Sequence, residues 1–198
     1  MLGQAADHSA AVKAATVAAR RAVSLDEMDS RAHCALGLAL MWSKAHDHAV
    51  AAGLRSVQCN PSDSFAHIIY GNVLDVAGRP EEGLVELQAG IRLNPLNPMM
   101  HQSMTWLAGA YLNARRYSEA LEWLESALLR DSAYPLTHLF RAVTLAHLGD
   151  AKEAAKALAD CELAGPRFVE RFVAWRAYQR AEDNQHMLSG LRKAGWDL

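Results

Sequence analysis

The chain of 198 residues has little of what secreted scaffolds, nucleic-acid binders and membrane proteins require. Its three cysteines, Cys34, Cys59 and Cys161, are widely spaced and form no C-x-x-C pair, which predicts neither a disulfide framework nor a zinc site. Lys and Arg total 20 against 22 Asp and Glu, so the basic excess of a nucleic-acid binder is missing. The longest nearly apolar stretch, residues 34–42, is about half of the roughly 20 residues that cross a bilayer. We therefore expect a cytoplasmic protein with neither nucleic-acid nor membrane partners.

Motifs of catalysis and cofactor binding are also missing. The sequence has no G-x-S-x-G, H-E-x-x-H, Walker or G-x-G-x-x-G pattern, and its acidic residues occur singly on predicted helix faces. We predict that the chain is not an enzyme and has no catalytic residue, no metal ligand and no cofactor.

What the sequence does have is an internal repeat of 34 residues. Hydrophobic residues make up 51% of the chain, enough for a substantial core. Residues of the same type recur at this spacing in three pairs: Gly37 and Gly71, Pro61 and Pro95, Ala120 and Ala154. A fixed period of this length is typical of arrays of helical repeats.

The period and its residues resemble the tetratricopeptide repeat family, whose unit is a helix-turn-helix. That family has small side chains at positions 8, 20 and 27, where the two helices of a unit cross closely. Units starting at Ser30, Ser64, His101 and Pro135 place a small residue at all twelve such positions: Gly37, Ala49, Ser56, Gly71, Gly83, Gly90, Ala108, Ala120, Ala127, Ala142, Ala154 and Cys161.

The resemblance implies an all-α, right-handed superhelix, that is, an α-solenoid. We predict a partial repeat in residues 1–29 that has a second helix only, with Ala15 and Ala22 at its small positions. Four units follow in residues 30–166, with bounds 30–63, 64–100, 101–134 and 135–166. Residues 167–198 are expected to form capping helices, with Phe168, Phe172 and Trp175 on one apolar face.

Three histidines share position 4 of their units: His33, His67 and His138. Neighbouring helices lie about 8–10 Å apart, which is too far for adjacent units to share a zinc ion with nitrogen ligands at roughly 2.0 Å. We therefore interpret these rings as partly buried packing residues.

In this family the first helices of the units line a concave groove. The corresponding positions predict a largely apolar, partner-binding groove formed by Arg31, Cys34, Leu38, Met41, Trp42, Phe65, Ile68, Asn72, Asp75, Leu112, Leu136, Leu139 and Val143. Such a groove suits a protein or peptide partner, either an amphipathic helix or a neighbouring domain. The alternative is that the C-terminal helices or a second copy of the chain, as a homodimer, fill the groove.

The segments "GLRKAGW", "AHCALGLALMW" and "AGRPEEGLVEL" look like the repeat regions of bacterial signalling proteins that carry a class III nucleotide cyclase or a winged-helix domain. We thus predict a non-catalytic interaction or scaffold module, the regulatory or assembly part of a larger bacterial signalling protein. A homo-oligomerisation domain, or a fragment of a cyclase or transcriptional regulator without its active domain, are the alternatives.

Overall fold

A computed structural model describes residues 2–175 and 177–197, with side chains from residue 8 onward. Within these residues every regular element is an α-helix, which confirms the all-α prediction. The helices are α1 (Leu2–Leu25), α2 (Ser30–Trp42), α3 (His46–Cys59), α4 (Ser64–Val76), α5 (Pro80–Leu93), α6 (Met100–Asn113), α7 (Tyr117–Leu128), α8 (Pro135–Leu148), α9 (Ala151–Ala164), α10 (Phe168–Trp175) and α11 (Ala181–Lys193). None of the described helices is both long and apolar enough to cross a membrane.

The chain divides into two units. Unit 1 comprises the residues up to Asn94, which carry α1–α5, together with the short segment Ala177–Gln179. Unit 2 comprises Pro95–Arg176 and Arg180–Leu198, which carry α6–α11. Consecutive helices pair as antiparallel neighbours in both units, α2 with α3 and α4 with α5 in unit 1, α6 with α7 and α8 with α9 in unit 2.

Capping residues set the starts of several helices. The Asp29 carboxylate accepts hydrogen bonds from the Arg31 and Ala32 amides at the start of α2, and Asp63 accepts one from Phe65 at the start of α4. These carboxylates satisfy amides that have no partner inside the helix and favour the positive end of its dipole. Helices α5 and α8 instead begin with a proline, whose missing N–H costs nothing at that position.

The small residues of the repeat lie where the helices cross. All twelve positions are buried, as expected for residues at helix contacts. A Cβ built on Gly71 would lie 2.8 Å from the carbonyl oxygen of Gly83, and a Cβ on Gly83 would lie 2.7 Å from that of Gly71. Only glycine allows the backbones of α4 and α5 to approach this closely.

The turn inside each helix pair reverses through one residue with a left-handed backbone. These residues are Lys44, Gly78, Arg115 and Gly149, with φ of 61°, 77°, 65° and 90°. Two of the four turns therefore carry a side chain in a conformation that glycine adopts without strain.

The two ends of the chain differ in part from the predicted packing. In α1, Ala19 is buried against its neighbours, whereas Ala15 is exposed and Ala22 is half-buried. In α10, Val169 is the fully buried side chain, and Phe172 makes an edge-to-face contact with Phe140 of α8 at 6.1 Å between ring centroids.

Candidate functional site

Helices α2 and α4, the first helices of two successive repeats, lie side by side in unit 1. The Arg31 guanidinium lies over the Phe65 ring, 4.6 Å from its centroid, and the Asn72 amide nitrogen lies 3.7 Å from the Met41 sulfur. Arg31 and Phe65 are the second residues of their helices, and residues seven and eleven positions later lie on the same side of each helix. We call the surface formed by Arg31, Leu38, Trp42, Phe65 and Asn72 the α2–α4 face.

The α2–α4 face is largely apolar and accessible. Trp42 is 40% exposed, although the His8 ring of α1 makes an edge contact with it at 5.9 Å. Leu38, Phe65 and Asn72 are half-buried. An indole left partly bare beside a leucine and a phenylalanine offers apolar area that a partner can bury.

Asp63 holds the N-terminal end of this face together. Its carboxylate caps α4 and also pairs with Arg31, at 2.8 Å from Nε and 3.1 Å from Nη2. The Asp63 side chain is 9% exposed, whereas that of Arg31 is 62% exposed. One carboxylate therefore starts a helix and links it to the corresponding helix of the preceding repeat.

Four residues predicted to line the groove of unit 1 are buried: Cys34, Met41, Ile68 and Asp75. Two of them face α5, because a Cβ on Gly90 would meet Ile68 Cγ1 at 2.7 Å and one on Gly83 would meet Asp75. Met41 is covered by the neighbouring helix through its contact with Asn72. These residues support the α2–α4 face from beneath, and the prediction that they are accessible is wrong.

The predicted groove residues of unit 2 are also mostly buried. Leu112, Leu139 and Val143 have no exposed surface, and Leu136 alone of the four is half-buried. Val143 is covered by α11, since a Cβ built on Gly190 would lie 2.5 Å from Val143 Cγ1. Helix α11 thus covers Val143, in line with the alternative in which the C-terminal helices fill the groove.

The position-4 histidines share a structural task. The ring Nε2–H of His33 donates to the carbonyl of Glu27, that of His67 to Pro61 and that of His138 to Ser132, at 3.0, 2.9 and 2.8 Å. Each acceptor lies six residues earlier, in the turn that leads into the helix. The rings tie down this turn, in keeping with the packing role predicted for them.

Within the described residues, no three His, Cys, Asp or Glu side chains are grouped so that they could hold a metal ion. Burial raises the pKa of Cys161 to about 12 and also raises the pKa of Cys34, so both stay protonated thiols near neutral pH. Cys34 and Cys161 are therefore packing residues of the helix pairs.

Sequence reasoning missed one polar cluster, formed by Tyr117, His147 and His186 in unit 2. His147 and His186 are 39 residues apart, and their rings stack at 4.0 Å between centroids. No sequence spacing signals this contact, because it depends on where α11 packs.

Comparisons with known proteins agree with this architecture. Residues 71–136 match the tetratricopeptide repeat family. Cell division cycle protein 27 homolog A of Arabidopsis thaliana is 24% identical over 180 residues, which are 75% of this chain and 25% of that protein. The chain therefore spans a quarter of the length of this relative.

Two solved structures show the same fold at low sequence identity. Pseudomonas aeruginosa PilF superposes with a TM-score of 0.68 and 19% identity, covering 98% of this chain and 89% of PilF. YrrB, described as a tetratricopeptide repeat protein with an unusual peptide-binding site, superposes with a TM-score of 0.56 and 19% identity, covering 89% of this chain and 90% of YrrB. Residues 71–136 thus match the tetratricopeptide repeat family, and the chain has the all-helical fold of tetratricopeptide repeat proteins.

Proposed function

We propose that this chain is a non-catalytic protein-interaction module that binds a protein or peptide through the α2–α4 face. The observation that carries the proposal is the partly exposed Trp42, which lies with Leu38 and Phe65 on one surface of two adjacent helices. Aromatic side chains on such a surface usually supply most of the binding energy of an interface.

The chain itself supports this choice of surface. Segment Ala177–Gln179 belongs to unit 1, and the Gln179 amide donates a 2.9 Å hydrogen bond to the carbonyl of Val76 at the end of α4. Ala177 is buried there. A non-helical stretch of chain therefore already binds at the C-terminal end of α4, one of the two helices of this face.

The comparisons favour a peptide or protein as the partner class. YrrB is described by its peptide-binding site, and the shared fold makes that ligand class the first to test on this chain. The apolar character of the face suits an amphipathic helix, whose one side can bury leucine or aromatic residues against Trp42 and Phe65.

The experiment is a peptide-library selection on the immobilised full chain, followed by affinity measurements on two variants. Trp42→Ala should weaken the selected peptides by roughly 30-fold or more, the loss typical of an interface hot spot. Val85→Ala is the matched control, because Val85 is a 62% exposed apolar residue on α5 of the same unit. If Trp42→Ala binds the selected peptides as tightly as Val85→Ala does, the peptides do not bind at the α2–α4 face.

Self-association is the competing outcome of the same experiment. Light scattering of the purified chain, with and without Trp42→Ala, decides it: a dimer that Trp42→Ala converts to a monomer would assign the face to a second copy. All variants should keep the helical circular dichroism of the parent, since Trp42 is not in the core.

We also propose that the chain is cytoplasmic. Cys34, Cys59 and Cys161 are free thiols, which supports a cytoplasmic location. The relatives described above give no support to a link with nucleotide cyclases or winged-helix regulators.

A further inference from the structure

Helix α11 is seated on α8 within unit 2. Met187 and Leu191 have no exposed surface, and Gly190 faces both Val143 and His147 of α8 without room for a side chain. We call the surface formed by Val143 and His147 the α8 face. Val143 is one of the predicted groove residues, so α11 packs against part of the surface to which the sequence assigned partner binding.

A stacked pair of histidines joins the two helices. The rings of His147 and His186 are nearly parallel, with an interplanar angle of 7°. The His147 Nε2–H donates to the backbone carbonyl of His186 at 3.1 Å, and Nε2 of His186 is hydrogen-bonded to the Tyr117 hydroxyl at 2.9 Å. The Tyr117 ring stacks on both imidazoles, with centroid distances of 5.3 and 5.8 Å.

This arrangement suits uncharged imidazoles. Nδ1 of His186 is buried and has no hydrogen-bond partner among the described residues, so a protonated ring would place an unsatisfied N–H there. Two protonated rings would also place like charges about 4 Å apart in a partly buried site, where solvent screens them weakly.

The charged groups around the pair add to this cost. Three neighbouring groups that are cationic when charged disfavour a positive charge on His186: His147 of α8, Arg115 from the turn before α7, and Lys193 of α11. Asp183 of α11 is buried and already paired, with one oxygen 3.2 Å from Arg115 Nη2 and the other 3.3 Å from Arg180 Nε.

Burial and, second, the His147 charge lower the pKa of His186 to about 3. Burial is also the main cause that lowers the pKa of His147.

We propose that α11 is a releasable occupant of the α8 face, and that proton uptake by the stacked His147–His186 pair releases it. The sign follows from linkage: a histidine whose pKa is lowered in the docked state stabilises docking above its ordinary pKa, and that stabilisation is lost as the pH falls. For His186 alone, a pKa of about 6.5 when released and about 3 when docked weakens docking at most about 30-fold at pH 5. Release uncovers Val143 together with Met187 and Leu191.

The test is hydrogen exchange measured by mass spectrometry on the full chain, at about pH 7 and about pH 5. Amides of α4 and α5 serve as the internal reference for the intrinsic effect of pH on exchange. We expect the protection of α11 to fall several-fold to about 30-fold relative to this reference at the lower pH. An unchanged relative protection of α11 would overturn the proposal.

Variants assign the effect to the pair. The double variant His147→Gln with His186→Gln should keep α11 protected at the lower pH, because glutamine does not titrate and its amide can still bond to Tyr117. His48→Gln is the matched control, since His48 is exposed at the start of α3. In this variant α11 should lose protection at the lower pH as it does in the parent. The same loss in the double variant would refute the assignment.

If α11 of the double variant does not dock at neutral pH, a titration of the histidine rings in the unmodified chain tests the proposal instead. Ring signals of the unmodified chain in nuclear magnetic resonance should show His186 uncharged down to the pH at which α11 loses protection. A His186 that becomes charged near pH 6.5 while α11 stays protected would contradict the proposal.

Discussion

The same substitution at the same repeat position should have opposite effects in two neighbouring repeats. Gly37 and Gly71 both occupy position 8, in α2 and α4, and Ala108 and Ala142 occupy it in unit 2 without any exposed surface. We expect Gly37→Ala to stabilise the chain and Gly71→Ala to destabilise it.

The difference comes from the distance to the partner helix. A Cβ on Gly37 would lie 3.5 Å from the carbonyl oxygen of Ala49, an ordinary contact, so the variant gains about 0.5–1 kcal/mol of helix propensity. A Cβ on Gly71 would lie 2.8 Å from the carbonyl oxygen of Gly83 and 2.7 Å from Leu87 Cγ. Because a backbone oxygen cannot move aside cheaply, overpacking of about 1–3 kcal/mol outweighs the propensity gain.

Urea unfolding followed by far-ultraviolet circular dichroism measures both effects as shifts of the midpoint. Gly37→Ala should unfold at higher urea than the parent and Gly71→Ala at lower urea, with native spectra unchanged before the transition. A Gly71→Ala variant as stable as the parent would refute the claim that α4 and α5 require glycine at this crossing.

Three further outcomes are expected. Gly149→Ala should cost about 1–2 kcal/mol in thermal unfolding, because φ is +90° and no atom lies near enough to compensate; an unchanged melt would contradict this. Asp63→Ala should cost about 1 kcal/mol or more through the lost cap, and Arg31→Ala less than about 1 kcal/mol because Arg31 is exposed; equal losses in urea unfolding would show that the ion pair dominates. Near pH 8, thiol labelling read by mass spectrometry should modify half-buried Cys59 well before Cys161, whose pKa is raised to about 12, and equal rates would contradict its burial.

Helix pairing and the contact residues of the repeat could be predicted from the sequence because they depend on local chemistry. Small residues at fixed positions of a unit, capping aspartates such as Asp29 and Asp63, prolines at helix starts and glycines at turns all act within one helix pair. This is why Gly83 could be placed at a helix crossing from the sequence alone.

The sequence predicted only part of the accessible surface of the α2–α4 face. Trp42 and Phe65 remain at least partly accessible. Ile68 does not, since it packs against the glycine of a neighbouring helix, and residue type alone does not distinguish an apolar surface residue from an apolar core residue.

The repeat pattern of the sequence by itself determined an all-helical array with close crossings, because 34-residue spacing and small side chains act over one helix pair at a time. Only the tertiary structure decided that α11 covers Val143 and stacks His186 on His147. That contact joins residues far apart in the chain, and its position depends on the combined shape of several helices, for which no short stretch of sequence carries the information.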